Sequence, residues 1–162
     1  MKKFTGMKDI DLKILYDIEN IKDLLNLCST NKYLYNLCNE DFWKRKALDL
    51  GGDETVKYKS KKETWKNHFL QMIIDLEQIR EAMKYEIQST LTFGREDNDM
   101  EEYSGKEIEN FLNIYYNQVE KAVKQMYLDY RKDLDLEDLR HAELDWYREY
   151  LFDYIPYEYF LK

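Results

Sequence analysis

Residues 63–92 read ETWKNHFLQMIIDLEQIREAMKYEIQSTLT. Within them Trp65, Phe69, Met72, Ile73, Leu76, Ile79, Met83, Ile87 and Leu91 recur at steps of three and four. That spacing puts them on one stripe of a 3.6-residue helix and leaves the charged residues on the other side. With no Pro or Gly in the segment, a single helix of about eight turns is expected. This is the longest apolar period in the chain, and it sets the expected fold class as all-α.

Working outward toward the C-terminus, residues 104–131 repeat the pattern through Ile108, Phe111, Leu112, Tyr115, Val119, Ala122, Val123, Met126 and Tyr130. Ser104 and Glu107 have the spacing of a capping box, in which hydroxyl and carboxylate satisfy each other's backbone donors. Between the two stripes, residues 94–105 hold five carboxylates and no periodicity, which predicts a mobile acidic loop and an antiparallel helical hairpin around it. A third helix is expected over 135–154, through Leu136, Leu139, Leu144, Tyr147, Leu151 and Tyr154, ended by Pro156. The tail 157–162, with Tyr157, Tyr159 and Phe160, is expected to fold back or to meet a partner, a second copy included.

Toward the N-terminus, Leu50-Gly51-Gly52-Asp53 is the strongest break, because paired glycines are poor helix formers. Before it, residues 9–47 carry three short stripes. The first is Ile10, Ile14, Leu15 and Ile18; the second is Leu24, Leu25, Leu27 and Cys28; the third is Tyr33, Leu34, Leu37 and Cys38. Asn31 or Ser29 is the expected cap between the second and third. The expected organisation is a helical module over 1–50, a connector over 51–62 and a C-terminal helical region over 63–162.

Composition limits the function classes. The chain has 162 residues and a formal net charge of −8, and its isoelectric point lies near 4.9. Such a balance argues against nucleic acid or a membrane surface as the main partner. The charge is uneven: residues 1–66 carry a net +3 and residues 67–162 a net −11. The basic run Lys57, Lys59, Lys61, Lys62 reads as a solvated connector face. Most of the fifteen tyrosines stand in the acidic part, where stacking on phosphate-bearing bases is disfavoured.

No enzyme signature is present. Asp97 and Asp133 each start an acidic run, but neither meets the glycine and glutamate positions of a calcium loop. Asp138 and His141 have a metal-ligand spacing without the second pair such a site needs. His68 stands alone on another helix. Cys28 and Cys38 lack a CxxC partner, so they read as reduced, small buried hydrophobes of an intracellular protein. No signal peptide or 18-residue apolar run is seen, and a cytoplasmic protein without cofactor or metal is expected.

The order of cues in residues 9–47 resembles a divergent F-box: Asp9-Ile10 through Ile18, then Lys22-Asp23-Leu24-Leu25-Asn26-Leu27-Cys28, Asn31-Lys32-Tyr33-Leu34, Leu37-Cys38 and Phe42-Trp43-Lys44. The segment LLNLCSTNKYLYNLCNEDFW is similar to F-box-like segments in proteins of large DNA viruses of amoebae, which would place the chain in a host cytoplasm. Gly6-Met7 stand where the family opens with Leu-Pro. The resemblance implies a module that docks on the Skp-type adaptor of a cullin-RING ubiquitin ligase, while the C-terminal helices present a target and the ligase supplies catalysis. It implies adaptor contacts at Ile10, Ile14, Leu15, Ile18, Leu24 and Leu25, with Leu27, Leu34, Leu37 and Trp43 packed inside. The alternative is a helical structural or assembly protein that self-associates through its aromatic tail.

Overall fold

A computed structural model describes residues 4–93, 105–133 and 144–156. The described residues form nine helices and no strand: α1 Lys8–Tyr16, α2 Ile21–Thr30, α3 Lys32–Leu37, α4 Glu40–Gly51, α5 Thr55–Tyr58, α6 Trp65–Phe93, α7 Gly105–Ile114, α8 Tyr116–Asp133 and α9 Leu144–Phe152. The all-α expectation holds. The chain divides into two compact units, Met1–Gln71 and Met72–Lys162. The division falls inside α6, whose first two turns belong to the first unit, and not in the connector 51–62. The physical reason is that the connector is itself folded. It carries α5, which packs on α4, and buries Thr55, whose hydroxyl donates to the Gly52 carbonyl at 2.8 Å.

In the first unit, short helices follow one another because polar side chains cap their starts. Asn20 Oδ1 accepts from the Lys22 and Asp23 amides, Asn31 Oδ1 from Leu34, and Asn39 Oδ1 from Phe42. Gly52, at φ +71°, ends α4 in a conformation other residues rarely adopt. Leu15, Leu24, Leu34, Leu37, Phe42, Trp43, Ala47 and Phe69 form the core. Through it runs a line of rings, Tyr16 to Phe42 at 4.8 Å, Phe42 to Trp43 at 5.1 Å and Trp43 to Phe69 at 5.7 Å. The Trp43 indole N–H donates to the Cys38 carbonyl at 2.8 Å, so its polar edge is satisfied inside.

The expectation of two reduced thiols is corrected: Cys28 and Cys38 form a disulfide. α2 and α3 are separated only by Asn31, so the chain folds back within one turn. That return brings the two Cα atoms to 5.8 Å, inside the range a disulfide spans. Ten residues of sequence separation between two helices concealed the proximity.

In the second unit, Met72, Leu76, Ile79, Met83 and Ile87 of α6 are buried, as are Val119, Ala122, Val123, Met126 and Tyr127 of α8 and Tyr147 and Leu151 of α9. Arg80 Nε donates to Glu120 at 2.6 Å, and the Arg131 guanidinium donates to Asp75. Partner numbers fall on α8 as they rise on α6, so these two helices run antiparallel. Glu120 beside Arg80 drives that guanidinium further toward its charged form.

The single helix expected over 104–131 is corrected to two, α7 and α8, meeting at Tyr115. No Pro or Gly is responsible. The Gln118 amide bonds the Tyr115 carbonyl at 3.0 Å, one residue nearer than a regular helix requires, so the ladder tightens there. Asn113 and Asn117 flank the break and are weak helix formers. The third helix ends at Phe152, two residues before the expected end. Amides of Tyr154 and Ile155 both return to the Leu151 carbonyl, and Ile155 is buried ahead of Pro156. Ser104, the loop 94–104, Leu136, Asp138, Leu139, His141 and the tail 157–162 lie outside the described residues.

Candidate functional site

The N-terminal unit is the candidate interaction module, and α1 carries exposed apolar residues at its start. Met7, at the cap position, and Ile10 lie one turn apart and are 61% and 46% exposed. Ile14 continues the same face one turn on and is half-buried. The adjoining side of α1 buries Leu15 and, unexpectedly for a charged residue, Asp11.

Asp11 explains how the chain enters α1 without a Leu-Pro opening. One carboxylate oxygen accepts from the Thr5 amide at 2.7 Å and the Thr5 hydroxyl at 3.1 Å. The other accepts from the Gly6 amide at 2.8 Å and the Tyr33 hydroxyl at 2.8 Å. Gly6 sits at φ +79°, a backbone turn that lets both amides point at one carboxylate. Burial by itself raises the Asp11 pKa, but the Thr5, Tyr33 and Gly6 donors outweigh it and hold the carboxyl below its ordinary 3.8. Burial and the Asp11 hydrogen bond together push the Tyr33 phenol upward. The clasp ties exposed Tyr33 to α1 through Asp11 and holds the backbone of exposed Met7 through the Thr5 hydroxyl.

The sign of the pH effect follows. A carboxyl with a depressed folded pKa stabilises the fold above its unfolded value, and that contribution disappears as pH falls through the folded pKa. Asp11→Asn is therefore expected to lower the melting temperature at neutral pH and to flatten its fall below about pH 4. Thermal unfolding of both proteins between neutral and acid pH checks this. Curves that coincide at every pH would mean that the clasp carries no net stabilisation.

At the other end of α1, the Lys46 ammonium donates to the Tyr16 carbonyl at 2.8 Å and the Ile18 carbonyl at 3.2 Å, filling acceptors that the helix end leaves open. Its partial burial lowers its pKa.

The residues implied as adaptor contacts divide in two. Leu15 and Leu24 lie in the core, at 0% and 1% exposure, with Leu34, Leu37 and Trp43. Ile10 is exposed, while Ile14, Ile18, Leu25 and Leu27 are half-buried. The structure thus places Ile10 outside and leaves Ile14, Ile18 and Leu25 partly accessible. To these it adds Met7, Tyr33 and Tyr35, which sequence reasoning did not single out as contacts. A signal for Asp11 was present: it stands four residues before Leu15 and seven before Ile18, on the inward stripe.

On another side of the unit, a groove of about 460 Å³ is lined by Leu25, Cys28, Tyr35, Cys38, Trp43 and Lys66, among others. The Lys66 ammonium lies 5.8 Å from the Trp43 ring centre. Nearby, Lys44 and Lys59 lie 5.6 Å and 5.2 Å from the Trp65 ring, so part of the basic surface is held by aromatic faces. Lys57 pairs with Glu54 at 2.6 Å, and Lys61 and Lys62 are exposed.

His68 is buried, with Nδ1 3.3 Å from a Glu63 carboxylate oxygen. Among the described residues no group of three or more His, Cys, Asp or Glu is arranged to hold a metal ion. No helix among them is long and apolar enough to cross a membrane. Compared with known protein families, curated proteins and solved structures, the chain matches none.

Proposed function

We propose that this protein is a non-catalytic interaction adaptor whose first unit docks, in the manner of an F-box, on the Skp-type adaptor of a cullin-RING ubiquitin ligase. The observation that carries the reading is the division of apolar residues on α1. The unit closes its own core with Leu15, Leu24, Leu34, Leu37, Phe42 and Trp43, and still exposes Met7 and Ile10, with Tyr33 held beside them through Asp11. Tyr33, held through its hydroxyl by Asp11, loses little freedom on meeting a partner. The order of cues from Asp9 to Lys44 supports the choice of partner. The second unit would present the target, through exposed Ile74, Tyr85, Ile114 and Tyr116.

Calorimetric titration against a Skp-type adaptor tests the reading. Met7→Asp with Ile10→Asp is expected to weaken binding at least tenfold while leaving helicity unchanged, because both residues lie outside the core. Leu24→Asp serves as the contrasting variant, since a carboxylate at that buried site should unfold the unit. Absence of binding by the unaltered chain would reject the adaptor reading and turn attention to self-association, read by light scattering.

A further inference from the structure

We propose that the Cys28–Cys38 bridge is a thiol–disulfide exchange site for a low-molecular-weight thiol seated in the adjoining groove, and that exchange there regulates the docking face. The second half rests on the proposed function; the first does not. The bridge forms part of the wall of the 460 Å³ groove, space enough for a small peptidic thiol. Its two sulfurs are not equivalent. Cys28 is 5% exposed, whereas Cys38 is half-buried, so Cys38 is the open side. Lys66 lines the same groove and is exposed, placing a positive charge where an attacking thiolate and the carboxylates of its carrier would enter. The one carboxylate in the lining, Glu40, is engaged by the Trp65 amide at 2.8 Å.

The exchange balances as follows. The thiolate of the small thiol attacks Cys38 Sγ, a new S–S bond forms, and the Cys28–Cys38 bond breaks with its electron pair leaving on Cys28 Sγ, which takes a proton from water. A second small thiol then attacks the mixed disulfide and releases Cys38 as a thiol. The protein gains two electrons, and the two small thiols depart joined as their own disulfide.

The consequence for docking follows from what the bridge holds. α3 has six residues, and the bridge ties its C-cap to α2 one turn after Leu24-Leu25. Cys38 also supplies the carbonyl that accepts the Trp43 indole N–H. Opening a loop with a sequence separation of ten releases chain entropy equivalent to roughly a tenfold to hundredfold rise in local opening between α2 and α4. Leu25, on the same groove wall, then loses its fixed position.

The test uses the full chain, oxidised, incubated without denaturant with reduced glutathione, quenched by alkylation and mapped by peptide mass. Glutathione on Cys38 and alkylation on Cys28 are expected, with Lys66→Glu slowing the exchange several-fold at an unchanged melting temperature. A bridge that resists glutathione until denaturant is added, a mixed disulfide on Cys28, or an exchange rate unaffected at Lys66→Glu would overturn the site. The regulatory half predicts at least several-fold weaker adaptor binding after exchange. Equal affinity of the two forms would overturn that half. Failure of both forms to bind would remove the docking reading and the regulation with it, while the exchange site stands on the mass map alone.

Discussion

Trp43→Ala is expected to destabilise the first unit by about 3–5 kcal/mol, the usual range for truncating a buried large aromatic. Three features put it in that range. Trp43 is 2% exposed and touches both Phe42 and Phe69 ring to ring. Its indole N–H satisfies the Cys38 carbonyl, which would lose its partner inside the fold. The disulfide ties Cys38 in place, so the surroundings cannot easily close over the cavity. Because a two-unit chain need not unfold in one step, native-state hydrogen exchange at the amides of α4 is the suitable readout. Trp65→Ala, at a half-buried position, should cost clearly less. Equal losses for the two would contradict the core described here.

Arg131→Met is expected to destabilise the second unit by about 2–4 kcal/mol, since it strips a buried carboxylate of its cationic partner. Asp75 is 1% exposed in the middle of α6, and Arg131 donates to it from α8 while lying 5.6 Å from the Tyr127 ring. Burial by itself lowers the Arg131 pKa, but Tyr127 and Asp75 outweigh it and raise the pKa, so the guanidinium stays charged. The double variant Asp75→Leu with Arg131→Met should recover most of the loss, because two apolar side chains of similar length need no compensating charge. Melting of the single and double variants gives the coupling directly. A double variant as unstable as Arg131→Met would mean that the loss comes from packing on Tyr127.

Asp75 and Asp11 share a lesson about legibility. Each stands on an inward stripe by spacing: Asp75 lies three residues after Met72 and four before Ile79, and Asp11 lies four before Leu15. Periodicity therefore tells that a charge is carried toward a core. It cannot tell what meets the charge there. Asp75 is answered by Arg131, 56 residues away, and Asp11 by Tyr33, 22 residues away, and those meetings depend on how helices stack. The same limit applied to the candidate contacts. Ile10 and Leu15 both read as apolar helix positions, yet only one of them is outside.

Local physics, by contrast, was legible in the residues alone. The 3.6-residue period of 63–92, the Asn31 cap and the Gly51-Gly52 stop each act within a few positions of the chain. For that reason the all-α class follows from sequence. The break at Tyr115 does not, because no Pro or Gly marks it and a tightened ladder at one carbonyl is set by packing on both sides. Nor does the Cys28–Cys38 bridge, which needs two helices to turn back at Asn31 before the sulfurs can meet. Sequence by itself determined the all-α class and the long helix of 63–92, since backbone preferences and apolar periodicity are local. Tertiary structure alone decided which apolar residues remain exposed, which charges are clasped and which cysteines pair, since each of those is a contact between segments whose separation along the chain carries no information about their distance in space.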